Sequence, residues 1–145
     1  MYLRSIDFKD GGSIPTLHTC DGANVSPHLE WGEAPEGTKS FAIVCVDPEA
    51  KTGTFIHWLV VKIPASVTEI AQGGRTGGQE LTNSYRQKGY GGPCPPTGTH
   101  KYVFTLYALD AEKQGDFSDA GMETIAFLES SAVAKVALVG KYRRK

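Results

Sequence analysis

A carboxylate, two imidazoles and a phenol stand where strand-like runs meet loops. Asp47 closes the apolar run Phe41–Val46, His57 opens His57–Ile63, and His100 opens His100–Leu109 with Tyr102 two residues on. Imidazole N–H groups can replace water around a phosphoryl oxygen, and a neighbouring carboxylate that accepts a ring N–H favours the imidazolium. With an ordinary histidine pKa of ~6.5, anion binding by such a set weakens as pH rises through neutrality. The segment Gly89–Thr99, just before His100, packs four glycines and three prolines into eleven residues. Glycines admit close approach of backbone N–H groups and prolines keep the loop stiff, so this segment beside two histidines suits an anion.

The elements that must position these groups are strands. Phe41–Val46, His57–Ile63 and His100–Leu109 are β-branched and aromatic runs of strand length, the first two closed by Asp47-Pro48 and Pro64. Leu3–Phe8 and Leu29–Trp31 are weaker strand candidates. Antiparallel pairing of the first two strong strands brings Asp47 and His57 to one sheet edge. Side-chain alternation puts His100, Tyr102 and Phe104 on one face and Lys101 on the other. Helix is expected only late: a first from Gly121 to Glu129, capped by Ser118 or Asp119, with Ile125 and Leu128 inward; and a second capped by Ser130 or Ser131, with a stripe of Val133, Val136 and Ala137 ending at Gly140. The expected fold is mostly β, an antiparallel β-sandwich with two short C-terminal helices at one end, in a single domain over residues 1–145.

Composition narrows the function classes. The chain has 145 residues with 15 basic and 16 acidic side chains, a net charge of −1. That leaves no chain-wide cationic field for nucleic acid or an anionic bilayer. No run approaches the ~18 apolar residues of a membrane span, and the start MYLRSIDFKD lacks the layout of a signal peptide. Cys20, Cys45 and Cys94 are too few and too scattered for a disulfide framework, which predicts a reducing, cytoplasmic location. On that reading Cys45 is core, Cys20 a loop residue, and Cys94 a pocket-wall residue rather than a nucleophile, since no helix N-terminus lowers its pKa. Gly73–Gly78 has no GK[ST] ending and reads as a flexible loop. Lys141–Lys145 reads as a solvated tail, and His18 and His28 as loop residues without a role. Trp31 and Trp58 are packing residues, with Trp58 near enough to His57 to sit at a pocket rim.

Several blocks together resemble the phosphatidylethanolamine-binding protein family in its short bacterial and archaeal form, also described as Raf-kinase-inhibitor-like. They are Asp21–Trp31 (DGANVSPHLEW), Val46–Ala50 (VDPEA), Thr54–Val61 (TFIHWLVV), Asn83-Ser84, Gly89–His100, and His100–Phe104 (HKYVF). The resemblance implies an antiparallel sandwich with an anion pocket at one end. In it Asp47 is the acid, His57 and His100 the histidines, Tyr102 the hydroxyl, and Gly92, Pro93, Cys94, Pro95 and Pro96 the wall. Two departures stand out. The family's D-P-D-x-P is here Asp47-Pro48-Glu49-Ala50-Lys51, and its G-x-H-R ends in Lys101, which lacks the planar fork of arginine.

The function expected is non-catalytic binding of a phosphorylated or otherwise anionic small head group, with no cofactor and no metal. The alternative is a protein-interaction module that inhibits a protease or kinase through the loops around the pocket, with Glu49–Phe55 as contact segment. The minor alternative is an enzyme, either a hydrolase using the His/Asp pair as acid and base or a metal enzyme, since two histidines and a carboxylate also form an iron-binding facial triad. The resemblance to a metal-free family weighs against a metal. It also agrees with a homodimer.

Overall fold

The computed structural model describes residues 1–51, 53–111 and 121–144. They form eight strands and one helix: β1 Tyr2–Arg4, β2 Leu29–Gly32, β3 Ser40–Ala50, β4 Gly53–Pro64, β5 Glu69–Ile70, β6 Gln79–Glu80, β7 His100–Leu109, α1 Gly121–Ser131 and β8 Ala134–Tyr142. The strands build two antiparallel sheets, β1-β2-β5 and β6-β4-β3-β7-β8. One apolar cluster joins them: Leu3, Leu29, Trp31 and Ile70 from the small sheet with Ile43, Cys45, Trp58, Val60, Phe104 and Leu106 from the large one. The other face of the large sheet, through Val44, Leu59, Val61 and Tyr107, packs on Leu128 of α1. Among the described residues no helix is long and apolar enough to cross a membrane.

The three strong strand runs all form strands, and β3 and β4 grow beyond their apolar segments to meet in a hairpin. Among the weaker candidates, β2 forms as expected, whereas β1 stops at Arg4. The first expected helix is α1; its proposed caps, Ser118 and Asp119, lie outside the described residues.

The second expected helix is a strand. Over β8, Ala134, Val136, Leu138, Gly140 and Tyr142 face inward in alternation and pair with β7 from Ala108 back to His100. Val133, Val136 and Ala137 satisfy a helical stripe, but they also fit a pleated ribbon, and the open edge of β7 decides. Gly140 is therefore no helix end: a Cβ there would overlap the side chain of Ile14. The expected solvated tail begins inside this strand, and Arg144 reaches Asp21 at 3.3 Å.

The cysteine reading is corrected too. Cys20 and Cys94 form a disulfide across 74 residues of sequence, leaving Cys45 as the free, buried cysteine. Spacing alone hides this pair, because the fold brings the loop after Pro15 against the proline-rich wall. With it goes the premise of the cytoplasmic expectation, since disulfides persist mainly in oxidising compartments.

Candidate functional site

An irregularity in the large sheet builds the site. Along β3 and β4, Cys45 pairs with Trp58, whereas Val46 pairs with Ile56. His57 is the extra residue, with no Cα partner in β3, and so forms a β-bulge. Such an insertion resets alternation and re-aims a side chain. Its effect is visible on both sides. Ile56 lies in the cluster under α1, while Trp58, two residues on, lies in the cluster between the sheets. Trp58 is therefore core, its indole N–H donating to Glu80 at 2.9 Å, and not a rim residue.

At this end of the inter-sheet face a cavity of about 210 Å³ opens, lined by Asp47, Ala50, Lys51, Phe55, His57, Tyr85, Cys94, Pro95, Pro96, His100 and Tyr102. The acid, both histidines, the phenol and the wall residues Cys94 and Pro95 thus meet in one depression. Gly92 and Pro93 do not line it. They are buried behind the wall, with the Gly92 N–H donated to Asn24 Oδ1 at 2.8 Å and the Pro93 carbonyl accepting from the Cys20 N–H at 3.1 Å. The Gly91 N–H likewise goes to the His57 carbonyl at 2.9 Å. The expected cradle of free backbone donors is absent at these positions, so the side chains must supply the polar contacts.

Each polar side chain is held in a defined state. Asp47 is 4% exposed and engages both oxygens: Oδ1 accepts from the Glu49 N–H at 2.9 Å, and Oδ2 accepts from His100 Nδ1 at 2.5 Å. His100 therefore carries a proton on Nδ1 and keeps Nε2 for a ligand. His57 donates from Nδ1 to the Gly91 carbonyl at 2.7 Å, which fixes its tautomer and leaves Nε2 bare. Burial, and to a lesser degree the charge of His100, push the His57 pKa down, against the raising effects of the Gly91 bond, Asp47 and the Gly92 backbone. Burial, and then the Asp47 charge, push the Tyr102 phenol far up, so it remains an O–H donor. The rings of His57 and Tyr102 meet edge to face at 5.1 Å, and those of His100 and Tyr102 stack at 6.5 Å.

Sequence reasoning missed Phe55, Tyr85, Ala50 and Lys51 as lining residues. Tyr85 donates its hydroxyl to the Gly92 carbonyl at 2.8 Å and packs on Phe55 at 4.7 Å and His57 at 5.6 Å. It is held there by Asn83, whose Oδ1 accepts from the Tyr85 N–H at 2.9 Å and whose Nδ2 donates to the Gly89 carbonyl at 2.9 Å. The pair Asn83-Ser84 was the available signal, since a turn built on an asparagine side chain aims the residues after it. Phe55 was legible once β3 and β4 are paired, because it lies opposite Asp47. Among the described residues no group of three or more His, Cys, Asp or Glu side chains is placed to hold a metal ion.

Comparison with known proteins places this geometry. Residues 4–143 match the family described as phosphatidylethanolamine-binding protein. A UPF0098 protein of Aquifex aeolicus is 38% identical over 99% of this chain and 89% of its own length. LppC of Mycobacterium tuberculosis, which carries a lipoprotein name, is 39% identical over 93% of this chain and 68% of its own. Among solved structures, YbcL of Escherichia coli, titled a new member of the mammalian PEBP family, superposes with a TM-score of 0.88 at 34% identity, covering 99% of this chain and 98% of that one. CT736 of Chlamydia trachomatis superposes at 0.91 with 28% identity, covering 99% and 97%. A match of this extent, with the pocket residues gathered at one end of the large sheet, assigns the chain to the phosphatidylethanolamine-binding protein family.

Proposed function

We propose that the domain binds a small phosphoryl-bearing head group in the cavity between Asp47, His57, His100 and Tyr102, without covalent chemistry. The observation that carries this reading is the state of the two imidazoles. Each has one nitrogen committed to the protein, to Asp47 or to the Gly91 carbonyl, and each keeps Nε2 for a ligand. His100 in its imidazolium form donates to one phosphoryl oxygen, and Tyr102 donates to another. His57, held neutral by burial, accepts instead, so the preferred ligand brings a proton of its own. A phosphate monoester in its monoanionic form meets all three demands, and its single negative charge is the easier one to seat beside the Asp47 carboxylate. Lys51 at the cavity lining adds positive charge, and Phe55, Tyr85, Pro95 and Pro96 give an organic substituent apolar contact.

Binding without turnover is supported by the fate of the sulfur nucleophile, since Cys94 is tied up in the disulfide. The test is a titration of the isotope-labelled protein with inorganic phosphate followed by amide NMR. Wild type should show saturable shifts at Gly91, His100 and Tyr102. His57→Ala and His100→Ala should each lose them while keeping a folded spectrum. Unchanged titrations in both variants would overturn the reading.

A further inference from the structure

The block Asp21–Trp31 and its preceding loop take no part in the pocket lining, yet the wall depends on them. Pro93, Pro95 and Pro96 have no N–H, so in Pro93–Pro96 only Cys94 can donate from its backbone. Such a segment is held in place chiefly by what grips it from outside. Four grips come from the loop between Thr16 and Asn24. They are the Cys20–Cys94 disulfide, the Cys20 N–H on the Pro93 carbonyl at 3.1 Å, the Asn24 side chain on the Gly92 N–H at 2.8 Å, and the Tyr90 hydroxyl on the His18 carbonyl at 2.7 Å. At Gly92 the two segments touch so closely that a Cβ would overlap the His18 carbonyl oxygen. The loop is itself fixed to the end of β8 and the residues after it, where Asp21 accepts from the Tyr142 hydroxyl at 2.6 Å and from Arg144.

We propose that Cys20 and Asn24 are positioning residues for the ligand cavity, and that phosphoryl affinity follows the redox state of the Cys20–Cys94 bond. In the oxidised form the wall Cys94–Pro96 lines the same cavity as His100 and Tyr102. Reduction by a dithiol takes two electrons and two protons. The S–S bond breaks, Cys20 and Cys94 become thiols, and the dithiol closes to its own disulfide. The wall then keeps only its hydrogen bonds, and a ligand has to order it on binding, which costs affinity. Reagent can reach the bond, because Cys20 is exposed and Cys94 half-buried. The remaining thiol does not intercept it: Cys45 is fully buried in β3, and its burial pushes the thiol pKa well up.

This inference rests on the cavity being a phosphoryl site, and the experiment separates the two. Inorganic phosphate is titrated into oxidised protein, into protein reduced with dithiothreitol, and into reduced protein reoxidised with glutathione disulfide, with thermal melts recorded alongside. Reduction should weaken binding about tenfold, on the scale expected for freeing a few ordered groups, and reoxidation should restore it. Equal affinity in the folded oxidised and reduced forms overturns the inference and leaves the phosphoryl reading standing. Absence of binding in the oxidised form overturns both. Should the reduced chain unfold, oxidised Asn24→Gly decides. It removes the grip on the Gly92 N–H while tolerating the positive φ of 61° at that position. About threefold weaker binding in protein that still melts cooperatively supports the proposal, and unchanged affinity refutes it.

Discussion

Two pairs of histidines sit in this molecule, and they differ in what their rings face. Around the cavity, His57 and His100 each spend Nδ1 on the protein and keep Nε2. In the N-terminal third, His18 and His28 are buried, at 1% and 4% exposure, and have their own carboxylates in Asp7 and Glu69. There, however, neither ring lines the cavity. His28 Nδ1 accepts from the Ile6 N–H at 3.1 Å, which puts the proton on Nε2, and Nε2 donates to Glu69 at 2.7 Å. His18 donates from Nδ1 to the Val25 carbonyl at 3.0 Å, and its Nε2 lies 3.6 Å from Asp7, whose Oδ2 also accepts from the His28 N–H at 2.7 Å. A histidine beside an acid is thus no sign of function by itself. The unspent nitrogen next to a cavity is.

The sharpest way to break this contrast is His28→Ala. It removes the acceptor of the Ile6 N–H and empties the packed site of the buried His28 ring, so unfolding stability should fall by about 2–4 kcal/mol in a urea titration. Phosphate affinity of the folded fraction should stay within about twofold, because His28 contacts no part of the cavity. Loss of binding at full stability would erase the distinction between the two pairs.

A second test uses protons. Burial lowers His57 below its ordinary 6.5 in the folded chain, whereas the unfolded chain keeps ~6.5. Above that value both states are neutral there, and His57 adds no pH dependence. As pH falls through ~6.5 the unfolded chain takes the proton first, so stability drops by up to about 1.4 kcal/mol per pH unit until the folded pKa is passed. His57→Gln lacks this limb. Urea midpoints of both proteins between pH 7.5 and 5.0 should run parallel above ~6.5 and converge or cross below it. Parallel curves throughout would show that His57 is not held neutral.

Much of this was legible in the chain because it follows from local pattern. Apolar runs closed by Asp-Pro and Pro located β3, β4 and β7, and strand alternation put His100 with Tyr102 and apart from Lys101. What stayed hidden depends on partners far away in sequence. The bulge at His57 exists only through the register with β3, and β8 is a strand because β7 offers an unpaired edge. The Cys20–Cys94 bond and the turning-away of Gly92 both arise where the Thr16–Asn24 loop meets the wall. Single-residue signals gave the reagents of the site; long-range pairing gave their states of protonation and the wall that faces them.

The finest test acts on the wall from its other side. Tyr85 holds the Gly92 carbonyl through its hydroxyl at 2.8 Å, while the Thr16–Asn24 loop holds the Gly92 N–H. Tyr85→Phe keeps the ring against Phe55 and His57 and removes only that bond. A single neutral hydrogen bond at a half-exposed position is worth about 0.5–1.5 kcal/mol, and only the part that orders the wall passes into binding. Phosphate affinity should therefore weaken about threefold, with the melting temperature moving by no more than a few degrees. Tyr85→Ala, which also strips the ring from His57, should weaken it further. If Tyr85→Phe matched Tyr85→Ala, the hydroxyl grip on Gly92 would outweigh the aromatic lining. If Tyr85→Phe changed nothing, the wall would be positioned from the loop side alone, and the free nitrogens of His57 and His100 would owe their setting to Cys20 and Asn24 rather than to Tyr85.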